Sequence, residues 1–160
     1  MITQDRLKEL FTYEDGYLVR IIRAGRRGHV GDKIGKVGYK GYVNATVDYT
    51  LYKVHRLIFL YHHGYLPDQI DHINGNRSDN RFENLRPANA TTNAWNSKRM
   101  STSTSGVKGV NWVARLGKWR ARCGANGKRT HVGYFNTRKQ AAEALRDFRL
   151  LVHGEFANNG

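Results

Sequence analysis

The chain has 160 residues but a single cysteine, Cys123, and only two prolines. One thiol excludes an internal disulfide and any multi-cysteine zinc site. Two prolines against 17 glycines point to many tight turns and not to an extended proline-rich chain. No apolar run reaches the roughly 18 residues that a membrane span needs, and the opening MITQDRLKEL is not a signal peptide. Acidic residues are also scarce, with 13 Asp+Glu against 27 Lys+Arg and a formal net charge of +14. The remainder, 39% hydrophobic and 11% aromatic, is enough for one compact domain or two small ones. These absences lead us to expect a cytoplasmic protein with no membrane partner.

The excess charge is concentrated. Residues 1–50 carry a net +3, residues 51–96 a net +1 and residues 97–160 a net +10; the window 106–135 holds seven basic residues and no acid. A solvated surface normally mixes signs, because like charges repel. A polyanion relieves that repulsion, so the window has the electrostatic footprint of nucleic-acid binding. A membrane-surface role would need a basic amphipathic helix, and this window reads as strands.

Periodicity predicts a helix over Thr3–Phe11 and a strand over Tyr17–Ile22 after the Asp15-Gly16 turn. A Gly-rich basic loop occupies 23–36, and a hairpin strand Tyr42–Asp48. An apolar helix Val54–His63 stops at Gly64, and a more polar one is expected over Asn89–Arg99. Residues 97–105 are polar and short of apolar side chains, which reads as a linker. Strands are then expected at Val107–Ala114, Lys118–Cys123 and Lys128–Phe135, with turns at Gly117 and Asn126-Gly127. A final helix runs from the N-cap Thr137 to His153, with Ala141, Ala144, Leu145, Phe148, Leu151 and Val152 as its apolar stripe. The domains are therefore 1–96, with its core at about 50–96, and 106–160.

The segment Asp71-His72-Ile73-Asn74-Gly75-Asn76 stands out, although an Asp-His pair is also what an ordinary turn contains. Neighbours on a strand point to opposite faces, so this carboxylate and imidazole can serve one centre only with one on a metal and the other on water. Phosphodiester hydrolysis needs an activated water and stabilised charge on the phosphate oxygens. A His base with one divalent cation on hard oxygen ligands meets both needs. Asn80, Asn84, Asn89, Asn93 and Asn96 follow. Read together, His55-Arg56-Leu57, Ile70 to Gly75, Asp79 to Pro87 and Thr92-Asn93 resemble the HNH endonuclease family, in its phage and homing-endonuclease-like branch. The resemblance implies a ββα-metal fold in which His72 is the general base, Asp71 and Asn93 hold the metal, and Asn84 orients or polarises the base. Arg56 is a candidate phosphate contact, with helix-end hydrogen bonding as the competing reading. Arg20, Arg23, Arg26 and Arg27 are either backbone contacts or a solvated loop. The same resemblance suggests a phage or mobile-element origin, and then the host cytoplasm as location.

Residues Ser105 to Val110, Gly117 to Arg122, Val132 to Thr137 and His153 to Asn158 resemble the Apetala-two (ethylene-response-factor-like) DNA-binding domain. That resemblance implies a three-stranded sheet on one helix, with Lys108, Asn111, Arg115, Trp119, Arg122 and Arg129 facing DNA. Tryptophan in so small a module also has a core role open to it.

The expected fold class is thus α+β, an N-terminal ββα-metal (HNH) nuclease module plus a C-terminal three-stranded antiparallel sheet packed on one helix. The expected function is a metal-dependent DNA endonuclease whose C-terminal module selects the site; the alternative is a DNA-binding regulator with an inactive HNH module. One Mg²⁺ or Mn²⁺ per site and no structural zinc are expected, with double-stranded DNA as partner and a monomer or DNA-induced dimer as the working form.

Overall fold

Thr3 accepts a hydrogen bond from the Arg6 N–H, which caps the first helix, α1 (Gln4–Leu10), and starts a chain of short elements. The computed structural model describes residues 2–96, 104–125 and 127–159. These fall into two compact units, Met1–Ala88 and Asn89–Gly160.

In the first unit, β1 (Phe11–Glu14) and β2 (Tyr17–Arg20) form an antiparallel hairpin. Its turn residues Asp15 and Gly16 both have positive φ, 41° and 86°, the conformation a two-residue hairpin with right-handed twist requires. β1 corrects the expectation that the helix runs through Phe11. A second sheet has the order β3 (Lys36–Val37), β4 (Val43–Val47), β5 (Thr50–Lys53). Alternation along β4 buries Ala45 and Val47 and leaves Thr46 exposed. The apolar helix α2 (Val54–His63) ends at Gly64 in the left-handed region, as the sequence predicts. It buries six of its residues, from Val54 to Leu60, and packs with Leu7, Leu10, Phe11 and Leu18 into the unit's core. Ile70 and Leu85 join that core from a third hairpin, β6 (Gln69–His72) with β7 (Leu85–Ala88).

The second unit starts with α3 (Ala90–Trp95), closed by a reciprocal capping box between Asn89 and Thr92. Strands β8 (Val110–Val113), β9 (Lys118–Ala125) and β10 (Lys128–Phe135) form an antiparallel sheet with β9 in the middle. Helix α4 (Arg138–His153), capped by Thr137, covers it through Ala141 and Leu145 on Val110, Ala121 and Cys123. The stripe on α4 differs from the sequence expectation. Leu151 is 82% exposed, whereas Arg149 and His153 are buried. The buried positions step by four, and Arg149 tolerates its place because its guanidinium donates to the Lys108 carbonyl and to Asn159 Oδ1.

The division also differs from the expected boundary at 96. Within the second unit the Trp95 ring stacks on His153 at 4.2 Å, Lys108 Nζ donates to the Trp95 carbonyl, and Asn158 Nδ2 donates to the Asn96 carbonyl. These contacts group α3 with the C-terminal sheet. The expected linker and the end of the expected helix fall largely on 97–103, outside the described residues.

Candidate active site

The β6–β7 hairpin sets the site by register. Asp71 lies directly opposite Arg86, and His72 opposite Leu85. Arg86 donates to Asp71 Oδ2 from Nε at 3.0 Å and from Nη2 at 2.8 Å, and both side chains are buried. A guanidinium fork of this kind fixes the carboxylate in direction as well as in place.

His72 is also buried, 4% exposed. Its Nε2 lies 3.1 Å from Asn80 Oδ1. An amide oxygen only accepts, so Nε2 carries the ring proton and Nδ1 carries the lone pair. Burial pushes the imidazole below its ordinary pKa, opposed by the Asn80 bond and the Asp71 charge. Burial and the Asn80 contact thus favour a neutral imidazole with its proton on Nε2.

Asn84 does something other than the sequence suggested. Its Oδ1 accepts from the Asn74 backbone N–H, and its Nδ2 donates to Asn74 Oδ1 and to the Asp79 carbonyl. It closes the loop between the two strands, and the amide that meets the imidazole is Asn80. The twelve-residue spacing could not show this, because the loop folds back through a 3₁₀ turn at Phe82–Asn84 that brings Asn80, eight residues after His72, to the ring. Asp79 supports the same loop: it accepts from Arg81 and Asn74, which hold its carboxyl well below the usual carboxylate range. The first hairpin buttresses the turn from below, with Tyr13 Oη accepting from the Phe82 N–H. Gly16 is required there, since a Cβ would stand 2.9 Å from the Arg81 nitrogen.

Two further residues stand beside His72: His55, already part of the segment that resembles the family, and Tyr42, to which sequence reasoning assigned no role. His55, at the start of α2, sets its ring edge-on to His72 with centroids 5.0 Å apart, and Tyr42 lies 5.3 Å from His55 and 6.1 Å from His72. Burial, and then the neighbouring His72, push His55 down to about 3, and its Nδ1 has no hydrogen-bond partner among the described residues. The sequence signal for Tyr42 was only its aromatic character.

The remaining candidates are dispersed. Arg56 Nη1 donates to the Asp68 carbonyl. Arg23, Arg26 and Arg27 are exposed, and Arg20 lies over the Phe11 ring. Asn93 lies on α3, in the second unit. There, alternation along β9 turns Ala121 and Cys123 to the core and Arg120 and Arg122 to the opposite face. Register adds Asn111, opposite Arg120, and Arg129, opposite Gly124, to that face. Trp119 pairs with Phe135 and packs against the core side instead. Arg115 sits in a 3₁₀ turn beyond β8. Lys108, Arg122 and Arg129 share the lining of a cavity of about 560 Å³ with Arg149 and Lys128. Burial and the Arg149 charge push the Lys108 ammonium down to about 8.

A profile of the HNH endonuclease family matches residues 52–94, from β5 to α3. Protein 3.8 of Escherichia phage T7 is 38% identical over 88 residues, covering 55% of this chain and 72% of that protein. The chain belongs to the HNH endonuclease family. No solved structure matches it significantly. Nuclease activity is the activity of that family, and in this HNH endonuclease the matched segment contains the hairpin that holds Asp71, His72, Asn80 and Asn84. No helix among the described residues is long and apolar enough to cross a membrane. Nor do three His, Cys, Asp or Glu side chains gather there into a metal cluster.

Proposed function

We propose that the protein is a divalent-metal-dependent DNA endonuclease with His72 as general base. The observation that carries this reading is the His72–Asn80 contact at 3.1 Å, which leaves a neutral imidazole with its lone pair on Nδ1. That nitrogen removes a proton from water, whose oxygen attacks phosphorus. The P–O3′ bond breaks and the leaving O3′ takes a proton from solvent water, giving a 5′-phosphate and a 3′-hydroxyl. Asp71, its carboxylate fixed by Arg86, is the ligand to one Mg²⁺ or Mn²⁺ in this reading. When bound, the ion neutralises charge on the phosphate and the leaving oxygen. Asn84 serves the chemistry indirectly, by closing the loop that carries Asn80.

In the same reading the second unit is an Apetala-two-like DNA-binding module that selects the site. Its sheet face presents Asn111, Arg120, Arg122 and Arg129. Among the described residues Arg120 Nε has no hydrogen-bond partner.

The test is conversion of supercoiled plasmid and phage genomic DNA to nicked or linear forms with Mg²⁺, Mn²⁺ or EDTA, beside His72→Ala, with a gel shift on the same DNA. Metal-dependent cutting that His72→Ala abolishes, with binding retained, is the expected result. Binding without cutting under either metal would favour the DNA-binding regulator.

A further inference from the structure

Three arginines follow His72 along the catalytic hairpin, and two of them are committed to carboxylates. Arg86 grips Asp71, and Arg81 grips Asp79 from Nε at 2.9 Å and Nη2 at 2.7 Å. Arg77 differs: it is exposed and makes no ion pair among the described residues. Its guanidinium lies over the Tyr42 ring, Cζ 4.9 Å from the centroid, and Nη1 donates to the Lys40 carbonyl at 3.1 Å. Lys53, the last residue of β5, places Nζ over the same ring at 4.4 Å, and it too makes no ion pair among the described residues. Tyr42 is the ring 6.1 Å from His72.

Two cations held on one aromatic ring repel each other, and the ring's quadrupole only partly offsets that repulsion. An anion between or beside them removes the conflict. The ammonium supplies a point charge, and the guanidinium, with one N–H used on Lys40, keeps the rest of its fork for phosphate oxygens.

We propose that Arg77 and Lys53, held on Tyr42, bind a backbone phosphate of the substrate strand adjacent to the one attacked. The proposal rests on the reading of His72 as the hydrolytic base. Holding the neighbouring phosphate binds the strand equally in the ground state and the transition state, so its loss raises KM and leaves kcat unchanged. The contact is to the backbone and carries no sequence preference.

The experiment uses the full chain and a short DNA duplex. Binding is measured against salt concentration in EDTA on a His72→Ala background, and steady-state cleavage with Mg²⁺ on the otherwise wild-type chain. Arg77→Gln is expected to reduce the slope of log K against log salt by up to about 0.9, the value for one phosphate shared with Lys53, and to raise KM about tenfold, leaving kcat within about twofold. Arg77→Lys restores the slope. Lys8→Gln, which removes the same charge from α1, leaves slope and KM unchanged. An unchanged slope in a folded Arg77→Gln protein overturns the proposal. Should that variant fail to fold, Lys53→Gln decides in the same way: the same loss of slope supports the site, and an unchanged slope overturns it. A slope lost in Arg77→Gln, together with a wild-type chain that cuts under no metal, would uphold the phosphate site and remove the hydrolytic reading.

Discussion

Asn80 holds His72 by its far ring nitrogen, Oδ1 to Nε2 at 3.1 Å, inside a hairpin where both side chains are buried. The bond decides which nitrogen is basic. Asn80→Ala frees the tautomer and the ring, so kcat is expected to fall about 10- to 100-fold while DNA affinity stays within about twofold. Single-turnover cleavage with a parallel gel shift checks this, and a wild-type rate would remove Asn80 from the mechanism.

The Asp71–Arg86 pair makes the opposite kind of prediction. Arg86→Leu leaves a buried carboxylate without its guanidinium, a change of about 3–5 kcal/mol in the usual case. The urea midpoint of the first unit is expected to drop accordingly, even without metal. A midpoint within error of wild type would mean that water reaches Asp71.

Stability of the first unit is expected to depend on pH through His55. Its folded pKa is pushed down to about 3 from an ordinary 6.5. Between those values the unfolded chain binds one more proton than the folded one. Stability is therefore complete above about 6.5 and is lost as pH falls toward 3, with a limiting slope of about 1.4 kcal/mol per unit. The lowered value of His72 adds in the same direction. Urea unfolding at stepped pH reads the slope, and His55→Phe is expected to flatten it.

In the proposed reading of the second unit, the two faces of β9 separate binding from folding. Arg120→Ala is expected to weaken DNA binding by about 1–3 kcal/mol with little change in melting temperature. Trp119→Ala, on the core side against Phe135, is expected to lower the melting temperature of the second unit first. Reversed results would mean that the sheet presents its other face to DNA.

Much of this was legible in the residues. Gly64 after an apolar run, Asp15-Gly16 between short strands, and Thr137 before an amphipathic stretch each specify local geometry, and each stands where expected. The Asp71-His72 pair with its asparagines pointed to the hairpin that the family profile covers. The partner of His72 was not legible. Asn80 and Asn84 have the same side chain, and only the path of the loop distinguishes the one that meets the imidazole from the one that ties the backbone.

Sequence alone determined the local elements and the kinds of chemistry available, since capping, turn preference and alternation act over a few residues. Tertiary structure decided the pairings: Asp71 with Arg86, His55 beside His72, and Trp95 on His153. These contacts join residues from 15 to 58 positions apart along the chain. Register and packing choose among many side chains of the same type at such distances, and no short-range rule distinguishes them.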